Sequence, residues 1–102
     1  MAKQYKGHHL YTENDIASNA PVSIGVYYCG AVLTNGILQP YYIGKSAGEN
    51  GIWGRLMDHF RENKWYDVTH FGFMECDSEQ EALNLEAAEI KRCQPKYNIQ
   101  GK

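Results

Sequence analysis

No stretch of this chain approaches the ~18 consecutive apolar residues a membrane-spanning helix needs, and its first residues carry no apolar signal-peptide segment. A membrane protein is therefore not expected, and a cytoplasmic location is. Cysteine is scarce: Cys29, Cys76 and Cys93 are odd in number, far apart, and form no C-x-x-C pair or Cys/His cluster. That pattern excludes a disulfide framework and a structural zinc site, and it predicts three reduced, mostly buried thiols. A basic excess is also missing. Ten Lys and Arg against twelve Asp and Glu give a formal net charge of −2, opposite in sign to the usual footprint of a nucleic-acid binder. The distribution softens that objection. Residues 75–89 are acidic without a basic residue, whereas residues 91–102 carry Lys91, Arg92, Lys96 and Lys102 without an acidic one. A basic strip of this kind can touch phosphate, and Lys96 is a candidate for that contact, although solvated surface charge explains it equally well.

What is present suits one soluble domain. The 102 residues, 43% hydrophobic and 22% charged, exclude a disordered chain and leave room for one modest core. Residues 1–21 show no clear periodicity and are expected to form an irregular or partly helical arm, with the remaining domain spanning 22–102. Two runs rich in Val, Ile and Tyr follow, Ser23 to Val32 and Ile37 to Gly44, and they flank Asn35-Gly36, a strong hairpin signal. A two-residue turn at Asn35-Gly36 makes paired residue numbers sum to about 71, the count implied by pairing Thr34 with Ile37. Tyr27, Cys29 and Tyr42 then share one face with Gly25 and Gly44, while Ile24, Val26, Tyr28, Tyr41 and Ile43 share the other, which is expected to meet the core. The two glycines beside two tyrosines suggest a shallow pocket or a close approach of another backbone. Pro40, inside the second strand, can introduce a bulge and shift this register.

Ile52, Leu56 and Phe60 recur at four-residue intervals and predict a helix from about Ile52 to Asn63, with Arg55 and His59 projecting from one side. Val68 to Cys76 reads as a third strand. Ser78-Glu79-Gln80-Glu81 is a capping box opening a helix to about Cys93, and Pro95 stops it. In that helix Glu86 shares a column with Leu83, Ile90 and Cys93. A carboxylate on an apolar row is costly to bury unless it is paired or holds a cation. Arg55 and His59, one turn apart, can together bind a phosphate and exchange a proton with it. Taken singly, each of these residues also has an ordinary structural explanation: a boundary carboxylate, a surface arginine, strand tyrosines.

Their order along the chain is more specific. Gly25-Val26-Tyr27, Tyr42-Ile43-Gly44 after a hairpin, Arg55 with His59, Glu86 and finally Asn98 resemble the GIY-YIG nuclease family from about Ile24 to Asn98. Val26 replaces the isoleucine of the first motif. The stretch from Glu81 to Glu86, with Gln94-Pro95-Lys96-Tyr97-Asn98, is similar to the bacterial excision-repair nuclease subunit, as is Lys45; His59 is similar to the homing-endonuclease and restriction branches.

The resemblance implies an α/β (α+β sandwich) fold with a small three-stranded antiparallel sheet flanked by helices. It also implies DNA as substrate, in repair or recombination, and hydrolysis of phosphodiester bonds with one divalent cation, Mg²⁺ or Mn²⁺. In that picture Glu86 holds the metal, Tyr27 activates or orients water, and Arg55 neutralises the transition state. Tyr42 and His59 complete the polar network or share the proton relay, Asn98 positions its neighbours, and Lys45 touches phosphate. Target choice is left to the arm, to the loop with Trp53 able to stack or wedge, to self-association or to a partner protein. A catalytically silent DNA-binding or accessory subunit is the alternative, and retention of every expected polar position argues against it.

Overall fold

The hairpin begins where Asn35 and Gly36 break the strand pattern, but by a three-residue turn. Leu33 N donates to Ile37 O and Gly36 N to Leu33 O (both 2.9 Å), while Gly36 sits at φ 81°, open to glycine at no steric cost. Pairing therefore starts at Val32↔Leu38, whose numbers sum to 70. A bulge then leaves Tyr41 unpaired, between Gly30↔Pro40 and Cys29↔Tyr42. From there inward the pairs Tyr27↔Gly44, Tyr28↔Ile43 and Cys29↔Tyr42 sum to 71, as expected. The turn and the bulge offset each other, so the tyrosines meet on one face in the expected register.

The computed structural model describes residues 4–100. In chain order these form β1 (Lys6–Leu10), α1 (Glu13–Asn19), β2 (Gly25–Val32), β3 (Leu38–Ser46), α2 (Gly51–Arg61), β4 (His70–Glu75), α3 (Glu79–Cys93) and α4 (Lys96–Gln100). All strand pairs are antiparallel, in the order β1-β4-β2-β3. The α+β class stands, with a fourth strand added. That strand comes from the segment expected to be an irregular or partly helical arm: β1 pairs with β4 through Lys6↔Phe73 and Leu10↔His70, and α1 follows, capped by Thr12. Its Lys-Gly-His-His-Leu sequence has no apolar alternation, so only the backbone ladder with β4 reveals it.

Both sheet faces are covered: the Tyr28 face meets a core as expected, and the Tyr27 face meets another. Against one face Ile16 of α1 and Ile52, Leu56 and Met57 of α2 pack on Tyr27, Cys29, Phe71 and Phe73. Against the other, Ala82, Leu85, Ile90 and Cys93 of α3 pack on Val26, Tyr28 and Ile43. Ser78 caps α3 as expected, accepting from Glu81 N at 3.1 Å. The reciprocal arm differs, because Glu81 Oε1 accepts from Asp77 N. Cys29 and Cys76 are buried and Cys93 is half-buried, and no disulfide joins them. Among the described residues no helix is long and apolar enough to cross a membrane.

Candidate active site

Tyr27 is 1% exposed, and its ring lies across Gly44 on the neighbouring strand. A Cβ at position 44 would sit 2.4 Å from both Cζ and Oη of Tyr27. The space expected to be a shallow pocket is therefore filled by the tyrosine itself. Gly25 answers a different need, since its Cβ would lie 2.3 Å from Met74 O of β4 and 2.8 Å from Ile52 Cδ1 of α2. Overpacking at a site this tight costs about 1–3 kcal/mol. Gly44→Ala is accordingly expected to lower unfolding stability by that amount in a urea titration and to push Tyr27 off its partner. An unchanged midpoint would contradict this placement.

The Tyr27 hydroxyl lies 2.8 Å from His59 Nε2. His59 comes from α2, three per cent exposed, and its Nδ1 has no hydrogen-bond partner among the described residues. Tyr42 completes the group, with ring centroids 6.2 Å from Tyr27 and 5.6 Å from His59. Trp65 walls it from behind, 4.8 Å from His59 and 5.0 Å from Tyr42. Trp65 was not legible as part of this cluster. It stands in an aperiodic polar segment between α2 and β4, and its one signal is its size.

Burial sets the protonation states. Desolvation, reinforced by the charge of Arg55, lowers the His59 pKa to about 4, so the imidazole is neutral at pH 7. Desolvation first, and then Tyr42 and Cys29, push the Tyr27 hydroxyl well above its ordinary range, while the positive charge of Arg55 pulls it back. Tyr42 is also raised, by burial and next by the negative charge of Glu86. Glu86 is half-buried on α3, so a carboxylate from one side of the sheet is felt by a tyrosine that packs on the other. The column that drew notice to it is split, since Leu83 is 45% exposed while Ile90 and Cys93 join Ala82 and Leu85 in the inward stripe.

Arg55 is 47% exposed and 3.7 Å from Asp58, one turn away. Such an exposed pair is weak and leaves the guanidinium available to an anion. Asn98 stands behind the site: its Oδ1 accepts from Ile43 N at 2.8 Å, and its Nδ2 donates to Ile43 O at 2.9 Å. It occupies the free edge of β3 next to Tyr42. The remaining expected residues lie apart from the cluster. Lys45 alternates onto the α3 side of β3 and pairs with Glu79 at 3.5 Å. Lys96 pairs with Asp67 at 2.5 Å and lies 4.2 Å from the Tyr41 ring centroid. Trp53 sits half-buried in the first turn of α2, its N–H bonded to Pro21 O, and lines a neighbouring cleft.

A family model described as a UvrC-like GIY-YIG domain matches residues 24–99, more than half of the chain. The chain belongs to the GIY-YIG family. No curated protein matches it. Members of the GIY-YIG family are generally nucleases, and the two motif glycines acquire steric meanings here. One lets β4 and α2 close on β2, and the other lets Tyr27 lie flat against β3. The matched segment holds Tyr27, Tyr42, Arg55, His59, Glu86 and Asn98 and leaves out β1 and α1.

Proposed function

We propose that this GIY-YIG domain is a DNA endonuclease that hydrolyses phosphodiester bonds with one divalent cation, Mg²⁺ or Mn²⁺, held by Glu86. The observation carrying this reading is the Tyr27–His59 contact at 2.8 Å, beside an exposed Arg55 and next to Tyr42, whose hydroxyl is raised by burial and then by the charge of Glu86. A proton acceptor and a cation able to bind phosphate thus flank Tyr27, and a carboxylate acts on the neighbouring Tyr42, which supports the reading.

The donor set suits a hard cation. Among the described residues no group of three or more His, Cys, Asp or Glu could hold a metal. Mg²⁺ needs only one or two protein carboxylates, with water and substrate phosphate completing its shell. Glu86 supplies one such oxygen donor, and the cation it holds would stabilise charge on the leaving oxygen.

The chain's own residues account for the other roles. Arg55 binds the scissile phosphate, displacing its weak Asp58 contact, and its planar fork neutralises the charge that builds at phosphorus. Tyr27 stays protonated, so it acts as a relay and not as an ionised base. As water attacks phosphorus, its proton passes to the Tyr27 oxygen while the Tyr27 proton moves to His59 Nε2, which is neutral and able to receive it. The P–O bond to the leaving oxygen breaks, and that oxygen takes a proton from solvent. Tyr42 holds Tyr27 in place, and Asn98 holds the strand that carries Tyr42.

Supercoiled plasmid at low salt tests the reading, since phosphate contacts weaken steeply as salt rises. Nicking is expected with Mg²⁺ or Mn²⁺ and is expected to fall to background in EDTA. Binding without metal-dependent nicking would make the chain a silent DNA-binding subunit. No binding would overturn the reading.

A further inference from the structure

Beside the tyrosine cluster a cleft of about 350 Å³ opens between the loop after β3 and the outer side of α2. We propose that it receives one unpaired base of the DNA, so that the preferred substrate carries an unstacked nucleotide next to the scissile phosphate. This inference rests on the nuclease reading above. Arg55 belongs to both places, lining the cleft and standing one turn of α2 from His59, the partner of Tyr27. A nucleotide with its phosphate on Arg55 therefore has its base at the cleft.

The lining selects a neutral, planar, polar group over a second phosphate. Arg55 and Arg61 are matched there by Glu49 and Asp58, so the charges cancel. The first turn of α2 cannot serve an anion, because its N–H groups are already bound. Gly51 N donates to Gly48 O, Ile52 N to Ser23 O, Trp53 N to Pro21 O and Gly54 N to Asn50 O. Uncommitted side-chain groups remain. Ser46 is 2% exposed, lines the cleft, and its Oγ has no hydrogen-bond partner among the described residues. Asn50 sits at the N-cap of α2 yet makes no capping bond with its side chain, so its amide can address a base edge with donor and acceptor together. Trp53 offers a face on which a base stacks whatever its identity. The volume lies at the small end of ligand sites, room for one base and not for a base pair. A base inside a duplex cannot reach such a cleft. Extruding it is cheapest when it is already unpaired.

Gly48 lines the cleft and has nothing within 4 Å of where its Cβ would stand. A larger residue there meets no clash at the backbone and adds bulk at the wall of the cleft. The test is fluorescence anisotropy in EDTA at low salt with the full chain and three DNA duplexes: fully paired, with one unpaired adenine, and with an abasic residue at the same place. The adenine bulge is expected to bind at least tenfold tighter than paired DNA, which corresponds to about 1.4 kcal/mol, and the abasic bulge like paired DNA. Gly48→Leu, shown folded by its thermal transition, is expected to bring the ratio to about one, and Gly48→Ala to keep it. Trp53→Ala serves as the second variant if Gly48→Leu does not fold, with the same loss of preference expected. Equal binding of paired and bulged DNA, an abasic bulge as good as adenine, or a folded Gly48→Leu with the ratio intact would each overturn the base site while leaving the nuclease reading standing. Absence of any DNA binding would overturn both.

Discussion

Glu86→Gln is expected to slow metal-dependent plasmid nicking by about 10³-fold, close to 4 kcal/mol of barrier, which is the scale of transition-state charge stabilisation by a bound cation. The substitution keeps the side chain's shape on half-buried α3 and removes only the charge. Folding should therefore be little changed, and a urea titration checks that. Two further consequences separate this from general damage. DNA binding in EDTA should be no weaker, because a negative charge near the phosphate has gone. The Tyr42 hydroxyl, which the carboxylate now pushes up, should titrate at a lower pH. A nicking rate within tenfold of the unmodified chain would remove Glu86 from the metal-holding role.

Stability should fall as pH drops from about 6.5 towards 4, and a definable share of that fall belongs to His59. Burial lowers its folded-state pKa to about 4, while in the unfolded chain it titrates near its ordinary value of ~6.5. Between these pH values the unfolded chain binds the proton and the folded chain does not. The stabilisation of the neutral imidazole is thus complete above pH 6.5 and is lost as pH falls through the window, reaching roughly 2 kcal/mol by pH 5 and about 3 kcal/mol at the limit. The half-buried His9 is also lowered by burial and contributes in the same direction. Asp67 and Glu89, whose carboxyls are held low by Lys96 and Arg92 respectively, add their losses at more acid pH. The His59 share is isolated by His59→Gln, which can still hydrogen-bond Tyr27 and does not titrate. Unfolding free energies from urea titrations between pH 5 and 8 should show a shallower slope for this variant by about 2 kcal/mol across the range. Identical slopes would mean that the imidazole is not desolvated as the fold shows it.

The helix carrying Arg55 and His59, and the strand faces carrying Tyr27 and Tyr42, were legible because periods of 3.6 and 2 are local properties of the backbone. The register at Tyr27↔Gly44 was legible too, although through a two-residue turn where three residues are used and a bulge at Tyr41 restores the count. Other features had no local signal. Lys6–Leu10 lacks strand patterning and becomes β1 only because β4 offers it a free edge. Trp65 joins His59 and Tyr42 from an aperiodic loop. Lys45 was singled out by position, yet strand alternation turns it to the α3 side, where Glu79 meets it. Glu86 stood out through a column whose other members proved partly exposed, and the field it exerts on Tyr42 depends on how α3 crosses the β3 edge.

The Tyr27–Gly44 pair shows most clearly where the two kinds of information divide. By itself the sequence determined the elements from β2 to α3, the shared face of the tyrosines and the family motifs, because these follow from residue spacing and backbone periodicity. Only the tertiary structure decided that the space beside Gly44 is filled by the Tyr27 ring, that His59 is buried and neutral, and that the open cleft lies next to Arg55 instead. Burial and proximity are sums over residues distant in the chain, and desolvation, which sets the protonation of this site, exists only once those residues have packed.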